Sequence, residues 1–202
     1  MTPQIVLFDL GNVVVDWDPT RLYTRLLGNR EEAERFYRDI CTLEWHTAHD
    51  RGVSMADNAR GLIERHPHHA DLIRAWDTGW LDMFHGYVDG VPDIIQELND
   101  QNTPLFALTN FPYEKWDDTV SAFPILDVFA DVVISGKEKM VKPDPRIYEL
   151  TLSRLGSPDP RQVFFIDDRA ANVEAARKAG MRATQFTDAV RLRADLKAQG
   201  IL

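Results

Sequence analysis

Cysteine is nearly missing from this chain of 202 residues, which carries only Cys41. One thiol cannot close an internal disulfide, and no catalytic His or Asn pattern accompanies it, so Cys41 is expected to be a packed apolar residue. Also lacking is any apolar run near the ~20 residues that cross a bilayer, which excludes a transmembrane helix and predicts a soluble chain with no membrane partner. There is no basic run: 23 Lys and Arg stand against 32 Asp and Glu, a formal net charge of -9 that leaves no footprint for nucleic-acid phosphates. Met1-Thr2-Pro3-Gln4 has none of the positive, apolar and small-residue regions of a secretory leader, and with the lone cysteine this predicts a cytoplasmic location. Repeats and low-complexity segments are absent, and nothing in the sequence sets an oligomeric state.

What is present is ordinary globular composition, 44% hydrophobic and 27% charged, enough for one core and a modest appendage. Four short apolar runs recur: Ile5-Val6-Leu7-Phe8, Leu105-Phe106-Ala107-Leu108, Val132-Val133-Ile134 and Val163-Phe164-Phe165-Ile166. They read as strands buried on both faces of a parallel sheet. Helical patterns lie between the later runs, at Val91 to Asn99, Pro145 to Leu155 and Ala170 to Ala179, the last closed by Gly180. Strand alternating with helix predicts a doubly wound, Rossmann-like α/β core with a parallel sheet.

Nearly a hundred residues separate the first two runs and show no convincing strand. Asp18-Pro19 looks like the start of a helix that Gly28-Asn29 ends, with further helices expected at Arg30 to Ile40, Met55 to Arg65 and His69 to Phe84. The expected division is therefore a core of residues 1–16 and 88–202 with an inserted all-helical cap, 17–87, hinged at Asp16 to Pro19 and Gly86 to Pro92. Phe36, Tyr37, Trp45, Trp76, Trp80 and Phe84 are assigned mainly to packing among the cap helices.

In a doubly wound sheet, ligands bind beyond the carboxyl ends of the strands. There stand Asp9, then Thr109-Asn110, then Lys142 before Pro143, then Asp167-Asp168. Taken singly each has a bland explanation: a turn former, a solvated lysine, a helix cap. Together they are an acidic cluster with a hydroxyl and a cation. Gathered carboxylates repel unless a cation neutralises them, and hard oxygen ligands suit Mg²⁺. Lys142 would oppose the charge of a phosphoryl group, and the Thr109 hydroxyl and nearby backbone N–H groups would donate to its oxygens.

Phe8-Asp9-Leu10-Gly11-Asn12-Val13-Val14, Leu108-Thr109-Asn110, Lys142-Pro143-Asp144-Pro145 and Phe165-Ile166-Asp167-Asp168 with Asn172 and Gly180 resemble, in order, the four motifs of the haloacid dehalogenase superfamily. The resemblance spans essentially the whole chain, and the insertion resembles a C1-type cap. Asp9-Leu10-Gly11-Asn12-Val13 is most similar to the glucose-1-phosphate phosphatases and more distantly to the phosphatase domain of soluble epoxide hydrolases. The resemblance implies a Mg²⁺-dependent phosphatase of a small phosphorylated metabolite, with Asp9 as a nucleophile that becomes an aspartyl phosphate. It further implies that Asp9, Asp168 and the Gly11 carbonyl bind the metal, that Thr109, Asn110 and Lys142 bind phosphate, and that Asp167 and Asn172 hold neighbouring groups.

One departure matters. The residue two after the nucleophile normally supplies an Asp as general acid and base, and here it is Gly11. That absence predicts a preference for good leaving groups, such as a sugar 1-phosphate, unless the cap supplies the proton. His46 and His49, beside Asp50 and Arg51, are the candidate cap contacts to the substrate, whereas His66-Pro67-His68-His69 reads as solvated histidines rather than a metal tract. Two rivals remain at this point. A metal-independent 2-haloacid dehalogenase shares the nucleophile and lysine but generally lacks the acidic pair Asp167-Asp168. A degenerate protein that binds a phosphorylated ligand without turnover need not keep Asp9, Lys142 and Asp168 together.

Overall fold

Alternate residues of the apolar runs go to opposite layers. In this computed structural model, which describes residues 4–202, Val6, Phe8, Leu105, Ala107, Phe164 and Ile166 belong to one hydrophobic cluster, and Leu7, Leu108, Val163 and Phe165 to another. The Met1-Thr2-Pro3 part of the leader reading lies outside the described residues. Period-two side chains with an apolar layer on each side are what a doubly wound sheet requires.

Seven strands form among the described residues: β1 (Ile5–Phe8), β2 (Val15–Trp17), β3 (Phe84–Tyr87), β4 (Leu105–Thr109), β5 (Val132–Ile134), β6 (Val163–Asp167) and β7 (Arg182–Gln185). Five make one sheet in the order β5-β4-β1-β6-β7, and every pairing in it is parallel. β7 was not anticipated, because its Arg-Ala-Thr-Gln sequence is half-exposed at the sheet edge and has no apolar run. The helices are α1 (Thr20–Leu27), α2 (Arg30–Asp39), α3 (Leu43–Asp50), α4 (Met55–Arg65), α5 (Ala70–Thr78), α6 (Val91–Asp100), α7 (Trp116–Ala122), α8 (Ser135–Glu138), α9 (Pro145–Arg154), α10 (Ala170–Lys178) and α11 (Ala189–Ala198). Residues of α6 and α11 cover one face of the sheet and those of α9 and α10 the other. No helix is long and apolar enough to cross a membrane.

The insertion carries α1 to α5, but it is not all helical. β2 and β3 pair antiparallel at its stem, with Asp16 opposite Gly86, so both connections to the core run through one ribbon. Arg21 ties this ribbon to α1, reaching both Asp16 carboxylate oxygens at 2.9 and 2.7 Å and the carbonyls of Asp16 and Met83. The helix expected over His69 to Phe84 stops early. α5 ends at Thr78 with Gly79, where a Cβ would lie 2.5 Å from Leu22, as its cap, and a short 3-10 turn then leads into β3.

Leu22, Tyr23, Phe36, Trp76 and Trp80 make the insertion's own core, which Phe111 and Ile134 from the sheet side join. Cys41 is fully buried there with its thiol pushed up to about 12 by burial, in keeping with a packed apolar role. The end of α3 is seated on the core by two facing glycines. Gly52 adopts a left-handed φ of 87°, and a Cβ on it would lie 2.6 Å from the Gly136 carbonyl. A Cβ on Gly136 would lie 2.7 Å from both the Phe111 carbonyl and the Tyr113 nitrogen. Because these neighbours are backbone, Gly136→Ala is expected to destabilise the protein by about 1–3 kcal/mol, the usual cost of overpacking. Urea unfolding of the variant checks this, and an unchanged midpoint would show that the close approach is dispensable.

Candidate active site

β1 lies between β4 and β6, so the ends of these three strands are neighbours. The register pairs Phe8 with both Ala107 and Ile166, and the Asp9 N–H donates to the Ile166 carbonyl at 2.8 Å. Asp9 and Asp167 thereby leave the sheet side by side. Lys142 reaches between them from the loop before α9. Its ammonium donates to Asp9 Oδ1 at 2.8 Å, Asp167 Oδ2 at 2.7 Å and the Leu108 carbonyl at 2.8 Å, using all three of its donors. The lysine is only 2% exposed. Burial alone would push its pKa down, but Asp167 and Asp9 reverse this and hold it above the ordinary value.

The surrounding polar groups fix these three. Asn110 grips the Lys142 peptide from both sides: its Oδ1 accepts from the Lys142 N–H at 2.8 Å and its Nδ2 donates to the Lys142 carbonyl at 3.0 Å. The Asn110 side chain thus positions the lysine, while the residue also lines the cavity where phosphate is expected. Asp167 is fully committed, since Asn172 Nδ2 donates to both its oxygens at 3.0 Å and the Arg169 N–H to Oδ1 at 2.8 Å. Thr109 is buried at the end of β4 and does not line the cavity described next.

A cavity of about 610 Å³ opens between the strand ends and the insertion. Asp9, Gly11, Asn110, Lys142, Asp168 and Asn172 line it from the core, and Trp17, Tyr37, His46, Asp50 and Trp80 from the insertion. A second hollow of about 540 Å³, beside Trp116 and Arg154, holds none of the motif residues. Tyr37, Trp80 and Phe84 pack in or against the insertion's core, in keeping with their main assignment to packing, and also face the ligand space. Of the two histidines, His46 lines the cavity and His49 does not; His49 lies behind it, the Nδ1 atoms 3.3 Å apart. His66 caps the end of α4, and Pro67–His69 form a 3-10 turn with no buried residue.

Among the described residues, Asp9, Asp167 and Asp168 are the one group of ligand-type side chains whose oxygens lie within 4.8 Å of one another. Burial raises the Asp9 pKa well above its ordinary value; Lys142 opposes that rise, and Asp167 and Asp168 add to it. Asp168 is likewise raised by burial and by Asp167 against Lys142 and Arg169. Three carboxylates share one ammonium, a local excess of negative charge that a divalent cation would relieve. Asn172 lines the cavity with an Oδ1 that is buried and unpartnered, as expected beside a hydrated cation whose water can donate to it.

Residues that sequence reasoning passed over are Trp17 and Asn58, and Asp50 entered it only as a neighbour of His46 and His49. Asp50 stands four residues after His46 and one after His49, so helical spacing already placed it on the face of His46, although no role attached to it. Nothing local marks Asn58.

Known proteins resemble the chain along most of its length. A flavin mononucleotide hydrolase of Arabidopsis thaliana is 34% identical over 119 residues, 58% of this chain but 47% of that protein, so the chain spans about half the length of this relative. The validoxylamine A 7'-phosphate phosphatase of Streptomyces hygroscopicus subsp. limoneus is 32% identical over 88% of this chain and 83% of its own. A haloacid dehalogenase family enzyme of Bacteroides thetaiotaomicron, solved with magnesium and inorganic phosphate, shares the fold with a TM-score of 0.69 and 22% identity over 92% of this chain and 95% of its own. The family model of haloacid dehalogenase-like hydrolases matches residues 3–180, which takes in every strand-end residue gathered around Lys142, and the chain belongs to that family.

Proposed function

We propose that the protein is a Mg²⁺-dependent phosphatase that hydrolyses a small phosphorylated metabolite through an aspartyl phosphate on Asp9. The observation that carries this reading is the state of Asp9 itself. Its Oδ1 is pinned by Lys142 at 2.8 Å and by the Leu10 N–H at 2.7 Å, its Oδ2 accepts no hydrogen bond among the described residues, and the residue lines the cavity. A buried carboxylate with one oxygen oriented and the other free is prepared for nucleophilic attack. Asp9, Asp168 and the Gly11 carbonyl would hold the metal, which when bound supplies positive charge to draw carboxylate and phosphate together. Lys142 holds Asp9 in place and faces the charge of the phosphoryl oxygens, while Asp167 and Asn110 keep the lysine there.

The names of the two relatives, one a flavin mononucleotide hydrolase and one a validoxylamine A 7'-phosphate phosphatase, support hydrolysis of a phosphomonoester, and the magnesium and phosphate of the Bacteroides enzyme support the ligand class. The cavity admits a leaving group of metabolite size with apolar or ring faces, since Trp17, Tyr37, Trp80, Phe84 and Phe111 form much of its wall. A sugar 1-phosphate meets that description, as does a larger ring system. The pairing of Asp168 with Asp9 disfavours the metal-free dehalogenase reading, and the intact lysine cluster disfavours a degenerate binder.

Asp9→Asn is expected to lower phosphate release below about one part in a hundred, because the amide is nearly isosteric but neither nucleophile nor good metal ligand. Malachite-green assay over sugar phosphates, nucleotides and phosphorylated acids, with Mg²⁺ and with chelator, measures this; full turnover by the variant would remove Asp9 from the chemistry.

A pH dependence follows from the carboxylates. Since the folded pKa values of Asp9 and Asp168 are raised above the unfolded ~3.9, the metal-free fold binds more protons than the unfolded chain and loses stability as pH rises from about 4 through the raised values. Mg²⁺ competes with those protons and contributes about 2.7 kcal/mol at a hundred times its Kd. The rise in Tm on adding Mg²⁺ should therefore be larger at pH ~8 than at pH ~5 and should vanish in Asp168→Asn. A pH-independent rise would place the metal elsewhere.

A further inference from the structure

Cleaving the ester of an ordinary alcohol requires a proton on the departing oxygen, and the phosphatase reading leaves that proton without a donor. The space beside the nucleophile is open, since a Cβ built on Gly11 meets no atom within 4 Å. Facing the same cavity from α3 is Asp50, 5% exposed, whose Oδ1 is buried and accepts no hydrogen bond. A buried carboxylate left unpaired costs several kcal/mol if ionised. It therefore either holds a proton or meets a partner that arrives with the substrate.

The hydrogen bonds behind Asp50 fix its neighbour's tautomer. Asn58 Nδ2 donates to the Trp45 carbonyl at 2.9 Å, which excludes the flipped amide, and the same nitrogen lies 3.0 Å from His49 Nε2. An amide nitrogen only donates, so His49 Nε2 accepts and the proton of its neutral ring sits on Nδ1. That N–H donates to His46 Nδ1 at 3.3 Å, leaving the His46 proton on Nε2, 3.5 Å from Asp50 Oδ1. His46 packs against Trp17, Trp76 and Trp80, and burial holds its pKa down at about 3. It is neutral at pH 7 and has no acidic proton to give, so it does not replace Asp50 as a donor.

We propose that Asp50 is the general acid and base for the reaction at Asp9, delivered by the insertion in place of the side chain that Gly11 lacks. As Asp9 Oδ attacks, the P–O ester bond breaks and the Asp50 proton passes to the leaving oxygen. Water then attacks the aspartyl phosphate, the P–Oδ bond breaks, and the water proton returns to Asp50. Ester and water become alcohol and phosphate, with both carboxyl groups restored. The charges that reach Asp50 are those of Lys142, Arg169 and Arg51, with neutral His46 on its own helix. Burial outweighs them and raises its pKa to about 7, where a group can both give and take a proton near neutrality. The glycine contact of Gly52 with Gly136 sets this end of α3 on the core.

The assignment rests on the phosphatase reading, and one set of substrates separates the two. In the Mg²⁺-loaded protein, kcat/KM measured over a series from dinitrophenyl to alkyl phosphates should depend weakly on leaving-group pKa. Asp50→Asn should lose ~10²–10⁴-fold on alkyl phosphates, a loss about tenfold or more greater than on dinitrophenyl phosphate. With alkyl phosphates kcat/KM should fall above pH about 7 in the unaltered protein and that fall should disappear in the same variant, and Gly11→Asp in the Asp50→Asn background should recover part of the alkyl activity. Equal loss on both substrate classes would make Asp50 a binding or structural residue and overturn the assignment. So would a steep leaving-group dependence in the unaltered protein, which decides the matter even if the variant does not fold. Phosphate release from none of these substrates would instead reject the phosphatase reading.

Discussion

Everything around the strand ends depends on one ammonium group. Lys142 is almost wholly buried and gives each of its three protons to an oxygen, two of them on carboxylates that would otherwise repel each other. Taking one member out of such a buried pair commonly costs 3–5 kcal/mol, because the remaining charges are left without compensation. The lysine therefore serves as a structural post for the ends of β1, β4 and β6 as much as a counter-charge for a phosphoryl group. Asn110 and Asn172 are spent on keeping it and Asp167 in place.

That arrangement divides labour among the carboxylates. Asp167 is saturated by hydrogen bonds and holds the post, Asp9 keeps one oxygen uncommitted, and Asp168 is half-buried at the cavity edge. A protein could neutralise three acids by protonating them. Here burial raises Asp9 and Asp168 in that direction, and the Asn172 oxygen beside them is left buried without a partner.

The core was legible because its signals are short in range. Period-two apolar runs forecast β1, β4, β5 and β6, and α4 runs from Met55 to Arg65 as its pattern requires. Strand ends in a doubly wound sheet converge, so Asp9, Lys142, Asp167 and Asp168 could be assembled before any coordinates existed. What stayed hidden depends on contacts between distant segments. β2 and β3 are three and four residues long and become strands by pairing with each other across the insertion. That the Asn110 side chain clasps the Lys142 peptide, 32 residues away, has no local signal. His49 shares a helix with His46 yet does not line the ligand space, and Asp50 gains its character from burial, which outweighs the charges of Lys142, Arg169 and its neighbour Arg51.

The insertion, on this account, completes the chemistry as well as closing the cavity, since the core offers a nucleophile and a cation site but no proton donor beside Gly11. All of it presupposes that Asp9 is where phosphorus bonds. A crystal structure with Mg²⁺ and beryllium fluoride, a mimic of the phosphoryl group, tests that most directly. The account predicts beryllium bonded to an Asp9 carboxylate oxygen, with Lys142 against its fluorides and the metal shared by Asp9 and Asp168. Beryllium fluoride bound at another residue, or Mg²⁺ held away from Asp168, would contradict it.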